Sequence, residues 1–474
     1  MGQFLFDIPS HWSIQSRQAA SIHVVGIDGV PWPCKVNLDD STLIIQRNRD
    51  ESGHVFISFP FSEYGEIVVS TGTLPESPKP YCLVTELARG TANRLRNQIS
   101  NWQEGGLTIS DEVHQVTAAA TKSLGAAIMA VDKTPRIENA WSAIESAMRA
   151  IFLLCRNFAD QIVPVRKAQT TSDNFWLANR TGQGEQFAPS QDASFAHLVQ
   201  LPIQAKDEAS TKSAILGPFL DASPYGFSDE LAALDDFGAR RASTLAATRD
   251  ALTNMPSSVK LIHAISGLNG TGHRNLSYPQ QLQLADDLLH AIEDSTSDLP
   301  VMVSFDFPWA ERLAWSVGGT HPLQIADSLL RRGLRISMLG LDINLDYWPN
   351  GSVVRDPLQW IELIDIWAQL GLPLVICLRT ASGELQLPDP EKTRIGTSNM
   401  PRMSMKPDQQ RYFGYGCPDD GCSTDGTWHR LEPMGRQRQQ LFFRSRIGRR
   451  RRPTQRDVEF LERIAGDVGR LRDD

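Results

Sequence analysis

The stretch "ISMLGLDINL", residues 336–345, is apolar at most positions, and Asp342 and Asn344 come only near its end. A strand with one wet face alternates apolar and polar residues. A run without that alternation belongs in a sheet covered on both faces, as parallel sheets are. Three further runs share the character: "VKLIHAI" (259–265), "LPVMVSF" (299–305) and "LPLVICL" (372–378). Their starts are 40, 37 and 36 residues apart, with the amphipathic patterns "YPQQLQLADDLLHAIED", "HPLQIADSLLRRG" and "DPLQWIELIDIWAQLG" between them. Strand–helix units at so constant a step predict an α/β fold, a (β/α)₈ TIM-type barrel rather than an open doubly wound sheet. "GLNGTGH" (267–273) is glycine-rich but lacks the strand–GxGxxG–helix setting of a phosphate loop, which argues against nucleotide binding.

Upstream the texture changes. Within residues 1–81, "SIHVVGI", "STLIIQR", "GHVFISF" and "EIVVSTG" recur between Gly, Pro and Asp, the pattern of a small antiparallel sandwich or barrel. Residues 82–167 read as helical; Trp141, Ile144, Met148, Ile151, Cys155 and Phe158 fall on one face at steps of three and four. The barrel is expected over residues 168–400, and residues 401–474 form a separate, arginine-rich tail.

The chain has 474 residues, 41% apolar and 22% charged, with a net charge of −8. Residues 401–474 carry 16 basic and 11 acidic side chains, so the rest is mildly acidic and offers no electrostatic footprint for nucleic acid. No apolar run is long enough for a membrane span. The N-terminus lacks the basic and apolar regions of a secretory signal, and the six scattered cysteines suggest reduced thiols, so a cytoplasmic location is expected. Cys417 and Cys422 have no second ligand pair at zinc spacing, and neither a metal nor another cofactor is expected.

From about Phe195 to Ser382 the chain resembles glycoside hydrolase family 10, the xylanase family of (β/α)₈ barrels. "ADSLLRRGLRISMLGLDINL" (326–345) is similar to that family's helix and sixth strand, and "IDIWAQLGLPLVICLRT" (364–380) to the segment carrying the seventh. "LPVMVSFDFPW" (299–309) falls at the fifth strand and "SVKLIHAISG" (258–267) at the fourth. The likeness is greatest to a divergent bacterial subgroup with a β-rich N-terminal extension. It implies action on, or binding of, a β-1,4-linked polysaccharide such as xylan. It also implies a retaining mechanism with two glutamates about 5–5.5 Å apart. Here the acid/base position falls on Ser266 and the nucleophile on Leu378, neither of which can do that work. "LPIQAK" (201–206) and Pro218 depart from the family pattern as well.

Other carboxylates stand at strand ends, where a barrel opens to substrate. Glu311 and Asp342 are the candidate catalytic pair; Asp306, Trp309, Asn344, Tyr347 and Trp348 are candidate substrate-binding residues, the aromatics because their faces stack on sugar rings. Glu311 has a bland alternative, pairing with Arg312 or another base. Two further readings stay open: a catalytically inactive barrel that binds glycan or serves assembly, and nucleic-acid binding through the tail.

That tail holds ten Arg and one acid between Trp428 and Arg456, and no Lys follows Lys406. A nucleic-acid arm ordinarily mixes Lys with Arg. Arginine-rich text arises when a GC-rich gene is read out of frame, and one choice of codons read one base later gives "GIVWNQWDD", like the eighth strand the barrel lacks. The expectation is a frameshifted tail and a barrel incomplete at its C-terminal end.

Overall fold

The structure, a computed structural model, describes residues 2–14, 16–39, 41–169, 199–201, 214–216, 236–253, 255, 259–269, 276–296, 298–314, 319–345 and 351–379. The expectations for the tail, for Pro218 and for most of residues 201–206 lie outside these.

Two four-stranded sheets open the chain. In one, β1 (Gly2–Asp7) lies between β5 (Thr42–Arg47) and the short β8 (Tyr81–Cys82), with β4 (Cys34–Asp39) outside β5. The other runs β3 (Pro31–Trp32), β2 (His23–Gly26), β6 (Gly53–Phe61), β7 (Gly65–Ser70). All pairings are antiparallel except β1 with β8. Phe4, Phe6, Leu43 and Ile45 of the first sheet share a core with Val24, Val55, Ile57 and Phe59 of the second. Every second residue faces inward, as sandwich packing requires.

After the short helix α1 (Ser16–Ser21), three long helices follow the sheets: α2 (Leu83–Glu104), α3 (Asp111–Met129) and α4 (Lys133–Gln169). Helix α4 buries Ile144, Met148, Ile151, Cys155 and Phe158, the stripe its spacing predicts. Helix α2 lies directly on the end of β7 because residue 90 is glycine. A Cβ there would stand 2.1 Å from the Ser70 carbonyl oxygen. Among the described residues no helix is long and apolar enough to cross a membrane.

The second half is one six-stranded sheet. Strands β9 (Val199–Leu201), β10 (Ala214–Leu216), β11 (Val259–Ile265), β12 (Val301–Asp306), β13 (Met338–Asn344) and β14 (Leu374–Arg379) lie side by side in chain order, and every neighbouring pair is parallel. Helices α5 (Phe237–Thr253), α6 (Tyr278–Ser295), α7 (Pro322–Arg331) and α8 (Pro357–Ala368) alternate with the later strands. They send Leu252, Leu288, Leu329 and Trp367 into the cluster that holds Ile262, Val303, Phe305, Leu341 and Ile376. The opposite face has its own small cluster, made of strand residues alone: Leu261, Met302, Met338, Val375 and Cys377. Strands buried on both sides explain the unbroken apolar runs.

The two halves share a core, since one cluster runs from Phe4 to Leu378. The segment after β13 seals the joint. The Val68 amide donates to the Val354 carbonyl at 2.9 Å, and Asp356, fully buried, pairs with Arg94 of α2.

Candidate functional site

The C-terminal ends of β11–β14 carry the polar residues that the strand interiors exclude. In register, Ser304 pairs with Gly340, Asp306 with Asp342, Asp342 with Cys377, and Asn344 with Arg379. Side chains paired in a parallel sheet point to the same face. Ser304, Asp306, Asp342 and Asn344 therefore share the face of Met302, Met338 and Cys377, opposite the helix-facing cluster. All four are buried, as are His263 and Ser266 on the neighbouring strand end. Gly340 makes room here, because a Cβ on it would lie 2.4 Å from that of Ser304.

Two short networks hold the carboxylates. Asp342 accepts the Ser304 hydroxyl. Ser304 Oγ in turn lies 3.0 Å from His263 Nε2 and accepts the Gly267 amide at 3.1 Å. With the serine proton committed to Asp342, the histidine donates, which sets its tautomer. Asp306 Oδ1 accepts Asn344 Nδ2 at 3.0 Å, and its carbonyl accepts Asn269 Nδ2 at 2.6 Å. Arg312 donates to the Asn269 carbonyl at 2.8 Å. Gly267 has φ +55°, and a Cβ there would come within 2.7 Å of Asp306 Oδ2, so only glycine fits beside that carboxylate. Among the described residues Asn344 Oδ1 and Asn269 Oδ1 are buried with no hydrogen-bond partner.

The loop after β12 is strained. Phe307 and Ala310 have φ of 49° and 62°, in the left-handed region that side chains avoid. The Ala310 amide donates to the Phe307 carbonyl at 2.7 Å, and Trp367 Nε1 donates to the Pro308 carbonyl at 3.2 Å. Ala310→Gly is expected to raise the unfolding free energy by about 0.5–1 kcal/mol, because glycine accepts the conformation that alanine resists. Denaturant unfolding checks this; a destabilised variant would mean that the alanine methyl contributes more than the strain removes.

The sequence-derived candidates divide. Asp306, Asp342 and Asn344 come together. Glu311 does not join them: wholly buried in a 3-10 turn (Glu311–Ala314), it binds Arg355 at 3.2 Å. Its partner is thus not Arg312, the nearest base in sequence. Burial pushes the Glu311 carboxyl above its ordinary pKa, against the pull of Arg355. Trp309 is half-buried, with the Arg355 guanidinium 4.9 Å from its ring centroid and Trp360 edge-on at 5.1 Å. Tyr347 and Trp348 lie outside the described residues.

Leu378, at the position of the resembled family's nucleophile, belongs to the helix-facing cluster, on the opposite side of β14 from Cys377. Ser304 drew no attention in the sequence, yet its hydroxyl joins Asp342, His263 and the Gly267 amide. The available signal for Ser304 was its place two residues before Asp306, inside a run otherwise apolar.

No protein-family model matches this chain, and no curated protein matches it. Partial likenesses exist among solved structures. Penicillium canescens endo-1,4-beta-xylanase XylE is 11% identical with a TM-score of 0.31, over 44% of this chain and 71% of that one. A GH10 endoxylanase retrieved from a sugarcane soil metagenome is 11% identical with a TM-score of 0.25, over 48% and 59%. A GH10 protein from Paenibacillus barcinonensis is 10% identical with a TM-score of 0.25, over 41% and 73%.

Proposed function

We propose that the strand-end face binds a β-1,4-linked polysaccharide such as xylan, in a (β/α)₈ barrel that has kept a binding face without the glutamate pair. The observation that carries this is the buried row Asp306, Asp342 and Asn344, on neighbouring parallel strand ends, with Asn344 Oδ1 unbonded among the described residues. Carboxylates and amides so placed offer acceptors and donors to sugar hydroxyls where parallel α/β folds open to ligands. The sequential strand order, with no reversal and with helices packed on one face, supports the barrel. In this reading residues 168–400 form the barrel, and residues 1–81 and 82–167 back it.

Hydrolysis is the second reading, favoured by the register of Asp306 with Asp342. Adjacent strands lie about 4.8 Å apart, close to the roughly 5–5.5 Å carboxyl spacing of retaining glycosidases.

Calorimetric titration of the full chain with xylohexaose, run beside an assay for released reducing ends, separates the two. Binding is expected without release, weakened by about tenfold or more in Asp342→Asn. Release that disappears in both Asp306→Asn and Asp342→Asn would select hydrolysis. No binding to any β-1,4 oligosaccharide would contradict both.

A further inference from the structure

We infer that Arg355 is the positioning residue of the strand-end site, clamping the loop after β12 to the loop after β13 through Glu311; this rests on the binding role proposed for that face. Glu311 follows β12 by five residues, and Arg355 lies beyond β13 on the chain that continues from Asn344. Their ion pair, 3.2 Å long with side chains 0% and 5% exposed, thus ties together the two loops that leave Asp306 and Asp342.

Four observations give the clamp its specificity. The Arg355 guanidinium lies 4.9 Å from the Trp309 ring centroid and 5.7 Å from that of Phe56 on β6. The peptide just before it is tied down by the bond from the Val68 amide to the Val354 carbonyl, and the residue just after it is bound by Arg94. The 3-10 turn that holds Glu311 packs against β3 and β2 of the N-terminal sheets. Finally, the clamp closes the loop containing Phe307 and Ala310, whose backbone persists in a sparsely populated region only if its surroundings over-determine it. The N-terminal sheets are thus the backing wall of the site.

A lysine at 355 would keep the charge and lose the planar fork that can meet a carboxylate and an aromatic face together. In the full-length protein, Arg355→Lys is expected to speed amide exchange about tenfold within residues 307–314 and 351–356, while β12 and β13 keep their protection. The Kd for xylohexaose is expected to rise by about tenfold or more. Phe6→Leu, in the far sheet, serves as a control for general destabilisation: it is expected to speed exchange evenly across the chain, without singling out those two segments, and to leave the Kd unchanged at temperatures where the protein is folded. Should Arg355→Lys fail to fold, Glu311→Gln, which keeps shape and an acceptor, gives the same comparison.

Unchanged exchange in those two segments, or faster exchange spread across the chain as in the control, would overturn the clamp. Local loosening with a Kd within about twofold of the parent would overturn its role in positioning the site. If the parent binds no glycan, the exchange data still decide the clamp, and the functional reading alone fails.

Discussion

Asp356→Ala is expected to lower the unfolding free energy by about 3–5 kcal/mol, the range seen when one partner of a buried ion pair is removed. Asp356 does two jobs. Its Oδ1 accepts the Gln359 amide at 3.0 Å while Gln359 Oε1 accepts the Asp356 amide at 3.1 Å, a capping box at the start of α8. Its Oδ2 accepts Arg94, 262 residues earlier in the chain. Loss of the cap alone costs about 0.5–2 kcal/mol. The remainder is the penalty of leaving Arg94, whose side chain is 19% exposed, with only the more distant Glu362 carboxylate at 4.0 Å.

Asp356→Asn separates the two jobs, since its amide oxygen can still cap the helix but carries no charge. It is expected to retain most of the loss. Pairing it with Arg94→Met should recover much of the stability, because replacing both members of a buried pair is often neutral. Denaturant midpoints at unchanged slope measure all three. An Asp356→Asn variant as stable as the parent would show that the ion pair does not join the helical layer to the parallel sheet.

The second large effect is acid sensitivity from His23. This histidine is 1% exposed, stacked on Phe56 at 5.0 Å, with Nδ1 2.8 Å from the Ser21 carbonyl. Burial first, and the nearby positive charge of Arg355 second, lower its pKa from 6.5 to about 3, against the opposing pull of the Ser21 carbonyl. Between those two values the unfolded chain binds a proton at this residue and the folded chain does not. The stabilisation is therefore complete above pH 6.5, declines by about 1.4 kcal/mol for each pH unit below it, and is gone once the pH passes below about 3.

Other groups titrate in the same window, so the test is a difference. Unfolding free energies of the parent and of His23→Gln, measured from pH 7 to pH 4, should diverge by that slope, the parent losing more. Parallel curves would mean that His23 is protonated in the folded protein.

Much of the frame was legible because it depends on local pattern. The runs at 259, 299, 336 and 372 are β11–β14, since a strand covered on both faces has to be apolar throughout. The α4 stripe was legible for the same reason at helical spacing. Asp306, Asp342 and Asn344 stood out as polar residues at strand ends, and the register brings them together. What the pattern could not show was pairing over distance. Glu311 sits beside Arg312 in sequence, yet Arg312 bonds the Asn269 carbonyl and Glu311 bonds Arg355, because the turn at Phe307–Ala310 swings the glutamate into the joint with the N-terminal sheets. Leu378 falls at the family's nucleophile position, where its side chain cannot act. The strand's own alternation puts Cys377 and not Leu378 on the face of Asp342.

The most direct test of the binding face is a crystal structure of the full chain grown with xylohexaose. Sugar hydroxyls are expected within hydrogen-bond distance of Asp342, Asp306 and the Asn344 side-chain oxygen, at the C-terminal ends of β12 and β13. An oligosaccharide seated elsewhere on the molecule, with those three side chains untouched, would contradict it.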